Sequence, residues 1–113
     1  MRNKRDNLAY LKNIRDAIDK IVSYSKLHTY EEFSGSQWDQ FAVMRYFEVI
    51  GEATNNIDNE FKRQHPEIKW VNMVDFRNFL IHDYLDVDIN IVWKTMKEDI
   101  VPINEQIEEI LNK

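Results

Sequence analysis

Residues 77–84 read RNFLIHDY and hold three side chains that could form a catalytic set, Arg77, His82 and Tyr84, of which Arg77 and His82 suit phosphodiester chemistry. Histidine exchanges a proton near neutral pH, so His82 can take one from a ribose 2′-hydroxyl. Arginine is a permanent cation with a planar fork of donors, so Arg77 can hold charge developing on phosphorus. Other chemistries are less well served. The chain has no cysteine, which removes disulfides, thiolate metal sites and cysteine nucleophiles. His82 beside Asp83 offers too few ligands for a metal, no histidine stands four residues further on, and no serine is marked for a Ser-His-Asp arrangement.

Spacing sets a condition on that chemistry. On a continuous helix the five residues from Arg77 to His82 turn the chain by about 500°, which leaves the two side chains about 140° apart. One regular helix cannot bring them to one ligand. Either the helix ends or loosens near His82, or a second copy of the chain completes the site. Arg77 and Tyr84, seven residues apart, share a face. By the motif alone, a helix-terminal histidine and a surface arginine are the simpler account of the spacing, and by periodicity alone so is a core tyrosine under an Asp86–Asp88 turn.

The elements that must position these residues are helical. Leu8, Leu11, Ile14, Ile18, Ile21 and Val22 form one amphipathic stripe, widened by Tyr10, Ala17 and Tyr24. Thr29 and Glu32 have capping-box spacing, Gly35 suits a helix end, and Ser36 with Asp39 offers another start. A stripe from Phe41 through Met44, Phe47, Ile50, Thr54, Ile57 and Phe61 predicts one long helix running to His65-Pro66. Trp70, Met73, Val74, Arg77, Leu80, Ile81 and Tyr84 make a third period. Asp86 and Asp88 are candidate caps for a fourth, over Ile89, Val92, Trp93, Met96 and Ile100. Pro102 predicts a kink before Ile103, Ile107, Ile110 and Leu111. The expectation is an all-α, four- to five-helix up-and-down bundle forming a single domain over residues 1–113. Trp70, Trp93, Phe41, Phe47 and Phe61 are expected in the core. His28 and His65 are expected as solvated loop residues, and Glu105, Glu108 and Glu109 as a wet face.

The second long helix carries a polar face as well. Arg45, Glu48, Glu52, Asn55 and Asn59 recur at three- and four-residue steps. They read either as a solvated face or as a wall of a groove or subunit contact. Gly51 favours the latter, because an interior glycine costs about 1 kcal/mol against alanine and marks close approach by a neighbour.

Composition bounds the rest. At 113 residues the chain fits one domain, and two glycines with two prolines are too few for a sheet with many turns. The net charge of −5 argues against unaided, non-specific nucleic-acid binding while leaving room for a small cationic site. No apolar run approaches the ~20 residues of a membrane span, and MRNKRDN lacks a signal-peptide core. These features predict a cytoplasmic protein with no membrane association.

Larger segments carry a resemblance. YFEVIGEATNNI (46–57), HPEIKWVNMVDFRNFLIHDYLDVDINIVW (65–93) and KEDIVPINEQIEEIL (97–111) together resemble the HEPN superfamily, and within it the HepT-like branch. That branch is marked by Arg-x4-His-x-Tyr on a helical bundle, here Arg77, His82 and Tyr84. The match spans roughly residues 8–111. The resemblance implies a metal-independent endoribonuclease toxin that cuts single-stranded RNA as a homodimer, with the two Arg–His sets meeting across the twofold axis. It implies no cofactor. It also implies a cognate minimal nucleotidyltransferase antitoxin that adds AMP to the motif tyrosine, Tyr84. Asn78, Asp83, Arg45, Glu48 and Glu52 are then candidates for supporting, groove or interface contacts. The alternative is a non-catalytic module that binds nucleotide or substrate for a two-component nucleotidyltransferase.

Overall fold

A computed structural model describes residues 4–83 and 86–113. The described residues form helices joined by short connections and contain no strand. In chain order they are α1 (Lys4–Leu27), α2 (Tyr30–Ser34), α3 (Gln37–Asn56), α4 (Asn59–Gln64), α5 (Trp70–His82), α6 (Ile89–Lys94), a π-turn (Thr95–Asp99) and α7 (Ile100–Leu111). The all-α bundle expected from the periodicity is therefore present. Four long rods make it: α1, α3, α5 and the α6–α7 arm.

The apolar stripes meet along one axis. Leu11, Ile14, Ile18 and Ile21 of α1 are almost fully buried, as are Phe47 and Ile50 of α3. Leu80 of α5 and Val92, Met96 and Ile107 of the C-terminal arm close the core. Burial of each such side chain contributes roughly 1.5–3 kcal/mol before entropy is set against it. α1 lies between α3 and α7, whereas α5 packs chiefly on α3.

The helix ends follow the cap residues. Thr29 Oγ1 accepts from the Glu32 N–H, and Glu32 Oε1 accepts from the Thr29 N–H at 2.8 Å, closing the capping box of α2. Ser36 Oγ accepts from the Asp39 N–H to start α3. Asp88 caps α6 through the Asn90 N–H, whereas Asp86 caps no helix and donates its N–H to the Asp83 carbonyl instead.

Several expectations are corrected. The helix predicted to run to His65 breaks at Ile57, whose backbone is extended (φ −81°, ψ 137°), and α4 starts anew at Asn59. The break is held from elsewhere: the buried Asn7 side chain accepts the Asp58 N–H at 3.1 Å. Phe41 is 48% exposed, because the α3 core face is set by Val43, Phe47 and Ile50 and not by Phe41. His28 and His65 are half-buried: His28 stacks on Tyr24 with centroids 4.0 Å apart, and His65 lies against Phe61 at 4.7 Å. The predicted kink sits one turn before Pro102. There the Ile100 N–H donates to the carbonyl five residues back, at Thr95, so the irregularity precedes the proline and Pro102 occupies the first turn of α7.

Candidate functional site

α5 carries the candidate residues. It is regular from Trp70 through His82, so the condition set by the spacing holds in the structure: Arg77 and His82 point about 140° apart around one helix. Within a single chain the two do not converge.

Arg77 lies on the α3 side of α5, and a glycine makes room for it. A Cβ added to Gly51 would come within 2.7 Å of the Arg77 Cγ and 3.2 Å of the Met73 carbonyl oxygen. The arginine stem thus lies directly on the α3 backbone. One turn further along α3, Thr54 is fully buried, bonded to the Ile50 carbonyl at 2.7 Å and against the Met73 sulfur at 3.9 Å. These contacts fix α5 in register on α3 at the level of the arginine.

The guanidinium is only partly satisfied. Nη1 donates to Asn78 Oδ1 at 3.0 Å, while Nε is buried and has no hydrogen-bond partner among the described residues. No carboxylate among the described residues pairs with Arg77. A buried donor without an acceptor is costly, typically about 1–3 kcal/mol. An anion's oxygen would satisfy it, which gives Arg77 the properties of an anion-holding group.

His82 ends α5 and is exposed. Asp83, also exposed, is the C-cap: its N–H donates to the Phe79 carbonyl at 3.1 Å and its own carbonyl accepts from Asp86 at 2.8 Å. Tyr84 lies outside the described residues. Arg45 is ion-paired to Glu52 at 3.2 Å and more loosely to Glu48 at 3.9 Å on α3. Asn78 is therefore brought to the arginine, while Arg45, Glu48 and Glu52 form their own cluster. Two exposed aromatics beside that cluster, Trp38 at 87% and Phe41, escaped the sequence reading. Their helical spacing resembles that of core residues, so pattern gave no sign of their exposure. Among the described residues no three His, Asp or Glu side chains are grouped so as to hold a metal ion. No helix among the described residues is long and apolar enough to cross a membrane.

The bundle, with an Arg-x4-His pair on its third long rod, defines a HEPN-type protein, and the chain belongs to the HepT-like ribonuclease family, whose model matches residues 14–110. It is 44% identical over 107 residues to "Probable ribonuclease HepT" of Thermococcus cleftensis, covering 95% of this chain and 97% of that protein. It is 37% identical over 106 residues to "Putative RNase MJ1380" of Methanocaldococcus jannaschii, covering 94% and 97%. No solved structure matches.

Proposed function

We propose that the protein is a metal-independent endoribonuclease acting on single-stranded RNA as a homodimer, with Arg77 and His82 as its catalytic pair. The observation that carries this reading is the state of Arg77, a half-buried arginine that among the described residues has no carboxylate partner and whose buried Nε donor is left open beside an Asn78-bound Nη1. Family membership supplies the reaction class. In the proposed step His82 takes the 2′-hydroxyl proton, O2′ attacks phosphorus, and the P–O5′ bond breaks, leaving a 2′,3′-cyclic phosphate on one fragment while O5′ takes a proton from water to become the 5′-hydroxyl of the other. Arg77 holds the charge on the non-bridging oxygens. Because α5 directs the two side chains apart, the His82 that serves a given Arg77 belongs to the second copy.

A cleavage assay tests this directly. Activity should persist in EDTA, and Arg77→Ala or His82→Ala should each lower it by about 10²–10⁴-fold. Mixing the two inactive variants should restore about a quarter of wild-type activity, since half the dimers then hold one intact composite site. Cleavage that requires Mg²⁺, or that survives His82→Ala, refutes the assignment, and no cleavage by the wild-type protein favours the binding module.

The regulatory part of the reading concerns Tyr84. A minimal nucleotidyltransferase partner is proposed to join AMP to its phenolic oxygen, with pyrophosphate leaving from ATP. The added phosphate would then oppose an RNA phosphate near Arg77 by occupancy and repulsion.

A further inference from the structure

We propose that the trough between α5 and the α6–α7 arm docks an amphipathic helix of a partner protein, one whose apolar stripe is flanked by lysine or arginine. This surface is independent of the Arg77 face. On α5 it is lined by Asn72, Asp75, Phe76 and Phe79, whose positions centre about 150° around the helix from Arg77.

The trough exists because α5 has one principal neighbour. It rests on α3, and its other flank faces a cavity of about 720 Å³. Ile18, Phe47 and Ile50 floor that cavity, with Phe76 and Phe79 on one wall and Ile91 on the other. One end is shut where Gln106 Nε2 donates to the Glu67 carbonyl at 3.0 Å. The opposite wall runs from Ile91 to Gln106, which at 1.5 Å per residue is about 22 Å, or four helical turns. That length suits a helix laid in a groove.

Charge identifies the occupant. Asp75 lies on one rim, Glu98 and Asp99 of the π-turn on the other, and Glu67 at the closed end; among the described residues Lys69 is the one base lining the cavity. Four carboxylates less one ammonium leave a rim of −3, and all five side chains are exposed. An RNA phosphate is repelled by this rim. So is the same trough of a second copy, which would set an equal −3 rim against this one. A basic helix is attracted by both rims while its apolar residues reach the floor. The π-turn contributes by carrying two consecutive carboxylates to the same rim, in a backbone element frequent at functional sites.

The test uses the full-length protein and a fluorescein-labelled helical peptide of about 15 residues, with a leucine stripe flanked by lysines, at about 0.15 M salt. A matched peptide with glutamate for lysine is the control. Fluorescence anisotropy should show saturable binding of the lysine peptide and none of the glutamate peptide. The variant Asp75→Lys/Glu98→Lys/Asp99→Lys, altered only at exposed positions, should bind at least about tenfold more weakly. Ile91→Glu, on an exposed wall residue, should weaken binding with an unchanged circular dichroism spectrum. Equal binding by the charge-reversed variant, or no saturation by about 100 μM peptide, overturns the proposal. So does light scattering in which Ile91→Glu turns a dimer into monomers, since the trough would then belong to a second copy.

Discussion

Replacing Gly51 by alanine should reverse the usual effect of that substitution. In an open helix interior Gly→Ala stabilises by about 1 kcal/mol, through propensity and a less flexible unfolded chain. Here the new methyl would stand 2.7 Å from the Arg77 Cγ, where ordinary carbon contacts are about 3.5–4.0 Å. The Met73 carbonyl at 3.2 Å blocks the neighbouring direction, so α5 must move by about 1 Å. Overpacking of this kind costs about 1–3 kcal/mol, which outweighs or cancels the propensity gain. The expected net loss is about 0–2 kcal/mol, seen as a midpoint lowered by up to roughly 10 °C. Activity should suffer more than stability, because a displacement of about 1 Å at a positioned group can cost 10²-fold in rate. Circular dichroism melts and RNA cleavage, measured on Gly51→Ala, Arg77→Ala and the double variant, separate the effects. If the glycine acts through the arginine, the double variant cleaves no more slowly than Arg77→Ala. A Gly51→Ala protein that melts higher than wild type and cleaves at full rate would show that the contact does not position Arg77.

Further outcomes follow from other contacts. The Tyr24 hydroxyl donates to Asp39 Oδ2 at 2.6 Å, and burial, followed by that hydrogen bond and the Asp39 charge, raises its pKa well above the ordinary 10.0. The folded state then holds a proton that the unfolded state releases above pH 10. Its contribution is complete below pH 10 and lost as pH rises further. Tyr24→Phe should thus lose about 1 kcal/mol at pH 7, and the gap to wild type in urea denaturation should narrow above pH 10; a constant gap refutes the linkage. Asn7→Ala should cost about 1–3 kcal/mol by orphaning the Asp58 N–H, with hydrogen exchange at Asp58 accelerated more than at Ile14. Tyr84→Phe should remain folded and toxic, yet escape neutralisation by a nucleotidyltransferase with ATP. Mass spectrometry lacking an AMP adduct on the Tyr84 peptide, with neutralisation still complete, would remove the tyrosine from the proposal.

The residues differ in how much of this they reveal alone. Stripes such as Leu11–Ile14–Ile18–Ile21 state their burial because a helix of 3.6 residues per turn admits one apolar face. The caps at Thr29, Ser36 and Asp88 are local chemistry and legible for the same reason. The break after Asn56 is not local. The Asp58 N–H that holds it is accepted by the side chain of Asn7, 51 residues upstream, and no window around Ile57 contains that partner. Phe41 misled because two three-residue steps from Phe47 drift it about 120° around the helix, off the face set by Val43, Phe47 and Ile50. At the site, Gly51 signalled a close approach but not the identity of its neighbour. That Arg77 fills the space follows only from the pairing of α3 with α5. The splay of Arg77 and His82 was readable from spacing, since helix geometry fixes it.

The lopsided support of α5 has a consequence for heat inactivation. α1 is clamped between α3 and α7, so its amides are released only when the whole bundle opens. α5 can detach by giving up one seam, the Gly51–Arg77 and Thr54–Met73 line, while α1, α3 and α7 remain assembled. The proposed catalytic arginine therefore rides on the least buttressed rod. On warming, nuclease activity should disappear several degrees below the global melt, and return on cooling without passage through the unfolded chain.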